Sequence, residues 1–228
     1  MNGGPTIMAS MTMALTLGAF NGAARAEPGR FGLELGLEVG WYPTESVAYA
    51  SDDVRGAQGL IALSYQPIDL LTVYAGWRHL GPLARADSLA PNGAAGADGT
   101  DFAFETQGDA IVAGARLTLP IIAGLSFVGE LDLEALHVGT RVTLDGQHAD
   151  TGAWAPGAVP KVGLAYHVPL DDCFALDFRV MAGYALRLDH DLDPVVLGPD
   201  PSVRTQPTDL GPLNLSGPVL AGTVALTF

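Results

Sequence analysis

From Phe31 onward, apolar side chains recur at every second position of the chain. In FGLELGLEVGW, residues Phe31, Leu33, Leu35, Leu37, Val39 and Trp41 share one face, and Glu34 and Glu38 alternate with glycines on the other. A step of two marks a β-strand, because successive side chains point to opposite sides of the sheet. The pattern returns in GLIALSYQ (59–66), LTVYAGWR (71–78), AIVAGARLTL (110–119), LSFVGELDLEA (125–135), VPKVGLAYHV (159–168), FALDFRVMAGYALRL (174–188) and the terminal GPVLAGTVALTF (217–228). Eight strands are predicted, and no segment holds helical periodicity for long.

The connections alternate in length. Three are short and contain a proline: YQPIDLL (65–71), TLPIIAGL (118–125) and YHVPLDDCF (166–174). Proline has no N–H to give a strand ladder, so it marks a turn. Four are long and rich in Asp, Gly and Pro, at roughly 42–57, 80–109, 138–158 and 189–216. This rhythm belongs to an up-and-down membrane barrel with short periplasmic turns and long extracellular loops. An even strand count brings both ends of the barrel to the short-turn side.

Alternation alone leaves two arrangements open. A soluble ligand-binding barrel would turn the Leu/Val face inward, whereas a membrane barrel turns the polar face inward. The charges favour the second. The polar faces carry acids at Glu34, Glu38, Glu130, Asp132, Glu134 and Asp177, and bases at Arg78, Arg116, Lys161, Arg179 and Arg187. Near-balance of this kind suits a lumen ion-pair network, since an unpaired buried charge costs several kcal/mol. Arg116 falls within about one pairing step of Glu130 if their turn centres near Ala123. The inward residues of the last strand, Ala221, Thr223, Ala225 and Thr227, are small and leave room for Glu34 and Glu38 next door. Aromatics gather at strand ends, as two interfacial girdles would place them. Trp41, Tyr42, Trp77 and Tyr184 lie toward the long loops, and Phe31, Tyr65, Phe127, Tyr166, Phe174 and Phe228 toward the short turns.

Composition bounds the function. The chain has 228 residues, 48% hydrophobic and 16% charged, so one domain is expected. Residues 7–24, IMASMTMALTLGAFNGAA, are apolar and lead into Ala24-Arg25-Ala26, an export-signal cleavage pattern, although no Lys or Arg precedes the run. A removed signal over 1–26 and a barrel over 27–228 are the expected units. Without residues 1–26 the chain holds 10 bases and 25 acids, an excess that excludes nucleic acid as a partner. A single cysteine, Cys173, excludes an internal disulfide. Much of the acid excess falls in the long loops, densest in DGTD (98–101) and DHDLD (189–193), with no EF-hand pattern and no fixed ligand spacing. No cofactor is implied.

In these features the sequence resembles the small eight-stranded outer-membrane barrels of the OmpA and OmpX type. The resemblance spans residues 27–228 and implies an all-β, eight-stranded antiparallel transmembrane barrel in the cell outer membrane, amid lipid and lipopolysaccharide. It covers the barrel alone, without the peptidoglycan-binding domain that some of these proteins append. It further implies that Leu220, Val224, Leu226 and Phe228 form the C-terminal signal read by the barrel-assembly machinery.

An eight-stranded barrel has an interior just wide enough for side chains to fill it. The expected function is therefore non-enzymatic: envelope integrity, adhesion or surface interaction through acidic outer loops, with a charged and largely plugged lumen. The alternatives are a lipid A-modifying barrel enzyme and a narrow porin-like channel. An enzyme would need a His/Ser/acid set at the outer rim. His79, His137, His148 and His190 lie near outer ends, and Ser46, Ser88 and Ser202 in loops, but no His-x-Ser pair shares a strand face.

Overall fold

The computed structural model describes residues 29–42, 54–82, 85–87, 102–144, 147–194 and 212–228. The expected export signal, DGTD (98–101), and Ser46, Ser88 and Ser202 lie outside the described residues.

Eight long strands form a closed antiparallel ring: β1 (Arg30–Tyr42), β2 (Val54–Ile68), β3 (Leu71–Leu80), β5 (Phe102–Ile122), β6 (Leu125–Leu144), β7 (Gln147–Pro169), β8 (Ala175–Arg187) and β11 (Gly217–Thr227). Three short strands accompany them. β4 (Arg85–Asp87) lies along β5, while β9 (His190–Asp191) and β10 (Pro212–Leu213) pair with each other. Each long strand pairs with the next along the chain, and β11 returns to β1, from Gly32 opposite Thr227 to Gly40 opposite Val219. Closure leaves no sheet edge in the ring.

The alternation fixes what faces where. Glu34 and Glu38 are buried in the lumen, and the small Ala225 and Ala221 stand directly opposite them on β11. Leu35, Leu63, Ile111, Leu133 and Val180 point outward, each more than half exposed. Inward glycines make room for large neighbours. A Cβ at Gly40 would collide with the Tyr42 ring, and one at Gly114 with the Tyr74 ring.

The three short connections are tight turns at 69–70, 123–124 and 170–174. In the second, Gly124 has φ of +74°, a conformation that favours glycine. The region 138–158 departs from expectation. It is not a long loop, because β6 and β7 continue as one hairpin up to Leu144 opposite Gln147. Above the rim this hairpin pairs with β5 alone, since β8 meets β7 only from Gly157 onward. Val138, Thr140 and Val142 remain buried on the continuing inner face, and this period-two run sustains the strand through glycines and a histidine that suggest a loop.

The last long connection also departs from expectation where it is described. DHDLD is part of a cap on the long-loop end of the barrel. His190, Leu192, Leu213 and Leu215 are buried, and the three leucines pack against Leu80, Leu136, Val138 and Val142. Asp189, Asp191 and Asp193 remain exposed, so the acids and the apolar residues of this segment divide between water and core.

Candidate functional site

The lumen of the ring is filled by charge at mid-height. Five acids (Glu34, Glu38, Glu130, Asp132, Glu134) and five bases (Arg78, Arg116, Lys161, Arg179, Arg187) are buried there. They interlock across the barrel as well as between neighbours. Arg116 donates Nη1 and Nη2 to the two oxygens of Glu34 at 2.9 and 2.8 Å, and Nε to Glu130 at 2.6 Å. Arg179 donates Nη2 to the same Glu34 at 2.6 Å. Lys161 Nζ lies 2.8 Å from both Glu130 and Asp132. Arg78 binds Asp132 and Glu134, and Arg187 donates Nε to Glu134 and Nη1 to the Leu215 carbonyl at 3.0 Å.

Desolvating ten charges is tolerable only where Coulombic pairing and hydrogen bonds repay it. Here equal numbers of opposite charges interdigitate, and most carboxylate oxygens accept from a cationic donor. Glu38 is the weakest member. Its nearest cations are Lys161 at 3.6 Å and Arg78 at 3.9 Å, and its Oε1 has no hydrogen-bond partner among the described residues.

Two tyrosines complete the network. Tyr74 donates to Asp132, and the Arg116 guanidinium stacks 5.0 Å from its ring centroid. Tyr42, expected in the outer aromatic girdle, is instead wholly buried, receives a hydrogen bond from Gln58, and lies under Arg187 at 5.4 Å. Its even number on β1 puts it on the face of Glu34 and Glu38, so the alternation itself carries the signal.

Asp177 does not join the central network. It lies at the short-turn mouth, where His167 Nδ1 is 2.8 Å from its Oδ1. Next to this pair is a cavity of about 430 Å³ open to the short-turn side, with Arg116 and Arg179 among its lining residues.

The other aromatics expected at interfaces do face outward. Phe31, Tyr65, Trp77, Phe127, Tyr166, Phe174 and Tyr184 are each at least a third exposed, and Trp41 is partly exposed. Phe31 meets Tyr65 in a tilted contact at 4.9 Å, and Phe174 lies 6.5 Å from Phe228. Trp154, outward on the extended hairpin beside His137, adds an aromatic from the stretch expected to be loop. On β11, Leu220 and Val224 point outward and Leu226 is half-buried. Phe228 pairs its backbone N–H and C=O with Phe31 at 2.8 and 2.9 Å, so the last residue is tied to the first strand.

The four outer histidines do not converge. His79 bonds Asp109 on the outside, His137 packs on Trp154, His148 is exposed on the extended hairpin, and His190 is buried in the cap with Nδ1 3.2 Å from the Leu213 carbonyl. Among the described residues, no three His, Cys, Asp or Glu side chains converge as a metal site.

No family model and no curated protein matches the sequence. Among solved structures, the chain is similar to Neisserial surface protein A, with 14% identity, a TM-score of 0.41, and coverage of 87% of this chain and 96% of that one. It is similar to Ail, the attachment invasion locus protein of Yersinia pestis, with 12% identity, a TM-score of 0.42, and coverage of 88% and 99%. It is likewise similar to a major outer membrane protein from Thermus thermophilus, with 14% identity, a TM-score of 0.43, and coverage of 88% and 99%. The eight-stranded ring itself stands on the strand pairings.

Proposed function

We propose that this chain is a non-enzymatic, integral outer-membrane barrel that acts through its long-loop end in adhesion, surface interaction or envelope integrity. One observation carries the reading: the barrel has inverted polarity. Its outward face is a belt of Leu, Ile and Val rimmed by Trp, Tyr and Phe, while its interior holds ten interlocked charges. A water-soluble barrel rarely exposes so continuous an apolar surface, and an outer-membrane barrel requires it.

The interior supports a structural role in place of a wide conduit. The charges bridge β1, β3, β5, β6, β7 and β8, and the leucines of the cap close the long-loop end. What remains available to partners is the hairpin above the rim and the acidic outer connections. On this reading the exterior belt meets outer-membrane lipid, the acidic end lies among lipopolysaccharide, and Leu220, Val224, Leu226 and Phe228 present the strand read by the assembly machinery.

Two measurements test it. The folded protein extracted in mild detergent should migrate differently from boiled protein on a denaturing gel; identical mobility together with solubility without detergent would overturn the membrane reading. Removing the hairpin above the rim (residues 141–150) should leave that mobility difference intact while reducing surface binding by cells. A normal surface phenotype after removal would contradict the role given to this end.

A further inference from the structure

The short-turn mouth holds a cationic side chain that the interior network does not use up. Arg179 is 5% exposed, and its Nη2 shares Glu34 with Arg116. Its Nε has no hydrogen-bond partner among the described residues. Arg116, by contrast, places Nε, Nη1 and Nη2 on carboxylates. A buried guanidinium N–H without an acceptor is costly, and interiors seldom leave one so. The Arg179 side chain lines a cavity of about 430 Å³, a size within the range of small-molecule sites, and its Nη1, unlike Nε, is neither hydrogen-bonded nor sealed off among the described residues.

The lining says what kind of acceptor fits. Arg179 and Arg116 lie at the inner end, with the hydroxyls of Thr72, Thr118 and Ser126 nearby as further donors. Toward the opening Leu70, Pro120 and Ile122 supply an apolar stretch beside Gln66 and Asp69. Asp69 and Asp177 also line the cavity, Asp177 engaged by His167 at 2.8 Å and Asp69 exposed at the turn. Two acids beside two arginines oppose a doubly charged head, and a single negative charge is the most the lining suits. A headgroup of one charge on an apolar body matches both the donor and the wall.

We propose that this cavity binds a monocarboxylate with an aliphatic body, its carboxylate accepting from Nη1 of Arg179 and its chain lying along Leu70, Pro120 and Ile122. This goes beyond the loop-based role given above and does not depend on it. A ligand here approaches from the end opposite the cap.

The test uses the purified, folded full barrel in uncharged maltoside micelles, titrated with octanoate labelled with carbon-13 at the carboxyl. The expected result is a saturable shift of the carboxyl resonance that empty micelles do not give. Octanol, which lacks the charge, should not compete, and acetate, which lacks the body, should bind at least about tenfold more weakly. Arg179→Gln should weaken octanoate by about tenfold or more, as loss of a charge-assisted hydrogen bond does. If that variant does not show the gel mobility of folded protein, Ser126→Glu provides the same test with every member of the ion network retained, by adding a further carboxylate at the cavity wall. A non-saturable response in the native protein, effective competition by octanol, or unchanged affinity in either folded variant overturns the proposal.

Discussion

Arg116 on β5 reaches across the lumen to grip Glu34 on β1 with both terminal nitrogens, at 2.9 and 2.8 Å. Two strands, β2 and β3, stand between them in the ring. The bond is a strut across the barrel, formed by residues 82 positions apart in sequence. Arg116→Met would leave Glu34 with Arg179 and Glu130 with Lys161. Removing one partner of a buried pair costs about 3–5 kcal/mol. Denaturant unfolding in a lipid bilayer should show a loss of this order. Adding Glu34→Gln should cost less than the two single changes together, because the carboxylate that Arg116 served is gone.

Tyr42 and Trp41 are chain neighbours on opposite faces of β1. Tyr42 is fully buried beneath Arg187, whereas Trp41 is partly exposed outside. Tyr42→Ala should open a cavity and destabilise the barrel by about 3–5 kcal/mol, as large-to-small aromatic changes in cores do. Trp41→Ala should cost clearly less. Equal losses in the same unfolding measurement would contradict the placement of the two rings.

The cap carries a pH dependence. Burial pushes the His190 imidazole below its ordinary value, and its Nε2 has no partner among the described residues. The cap therefore holds the neutral form. A group with a depressed folded value contributes stability that is complete above its unfolded value, about 6.5, and is lost as pH falls. Amide exchange at Leu213 and Leu215, corrected for the intrinsic pH effect, should accelerate as pH drops from about 7.5 to about 5.5. His190→Leu should flatten that dependence. No acceleration in the native protein would contradict it.

Phe228 closes the ring through two backbone hydrogen bonds to Phe31 and places its ring outward near Phe174. Deleting it removes both bonds and the last aromatic of the proposed assembly signal. The amount of barrel recovered from outer membranes should fall several-fold. Normal recovery would remove the assembly role while leaving the ring's architecture untouched.

Much of this fold is legible in the sequence because the lumen and the exterior demand opposite chemistry at alternate positions. Glu34, Glu38, Glu130, Asp132 and Glu134 alternate with the outward apolar residues of β1 and β6, and all five point inward. What is hard to read lies where that contrast fades. In VGTRVTL the inner face is Val, Thr and Val, and glycine with threonine resembles a loop until the pairing with 147–153 is seen. In DHDLD the acids conceal His190 and Leu192, whose burial depends on Leu213 and Leu215 some twenty residues later. Partner choice within the ion network is equally nonlocal. Asp177 has the right parity, but its height on β8 brings it to His167 at the mouth.

The central claim is that the apolar face of this barrel meets lipid and its charged face meets itself. Spin labels at Leu220, Gly222 and Val224 of β11, in a Cys173→Ser background and a reconstituted bilayer, test it most directly. These positions alternate with the inward Ala221, Thr223 and Ala225. At all three, relaxation should be dominated by oxygen, which concentrates in the bilayer, with little effect from a water-soluble nickel chelate. Dominance of the chelate at these positions would mean that the Leu/Val face is bathed in water, and would contradict the account.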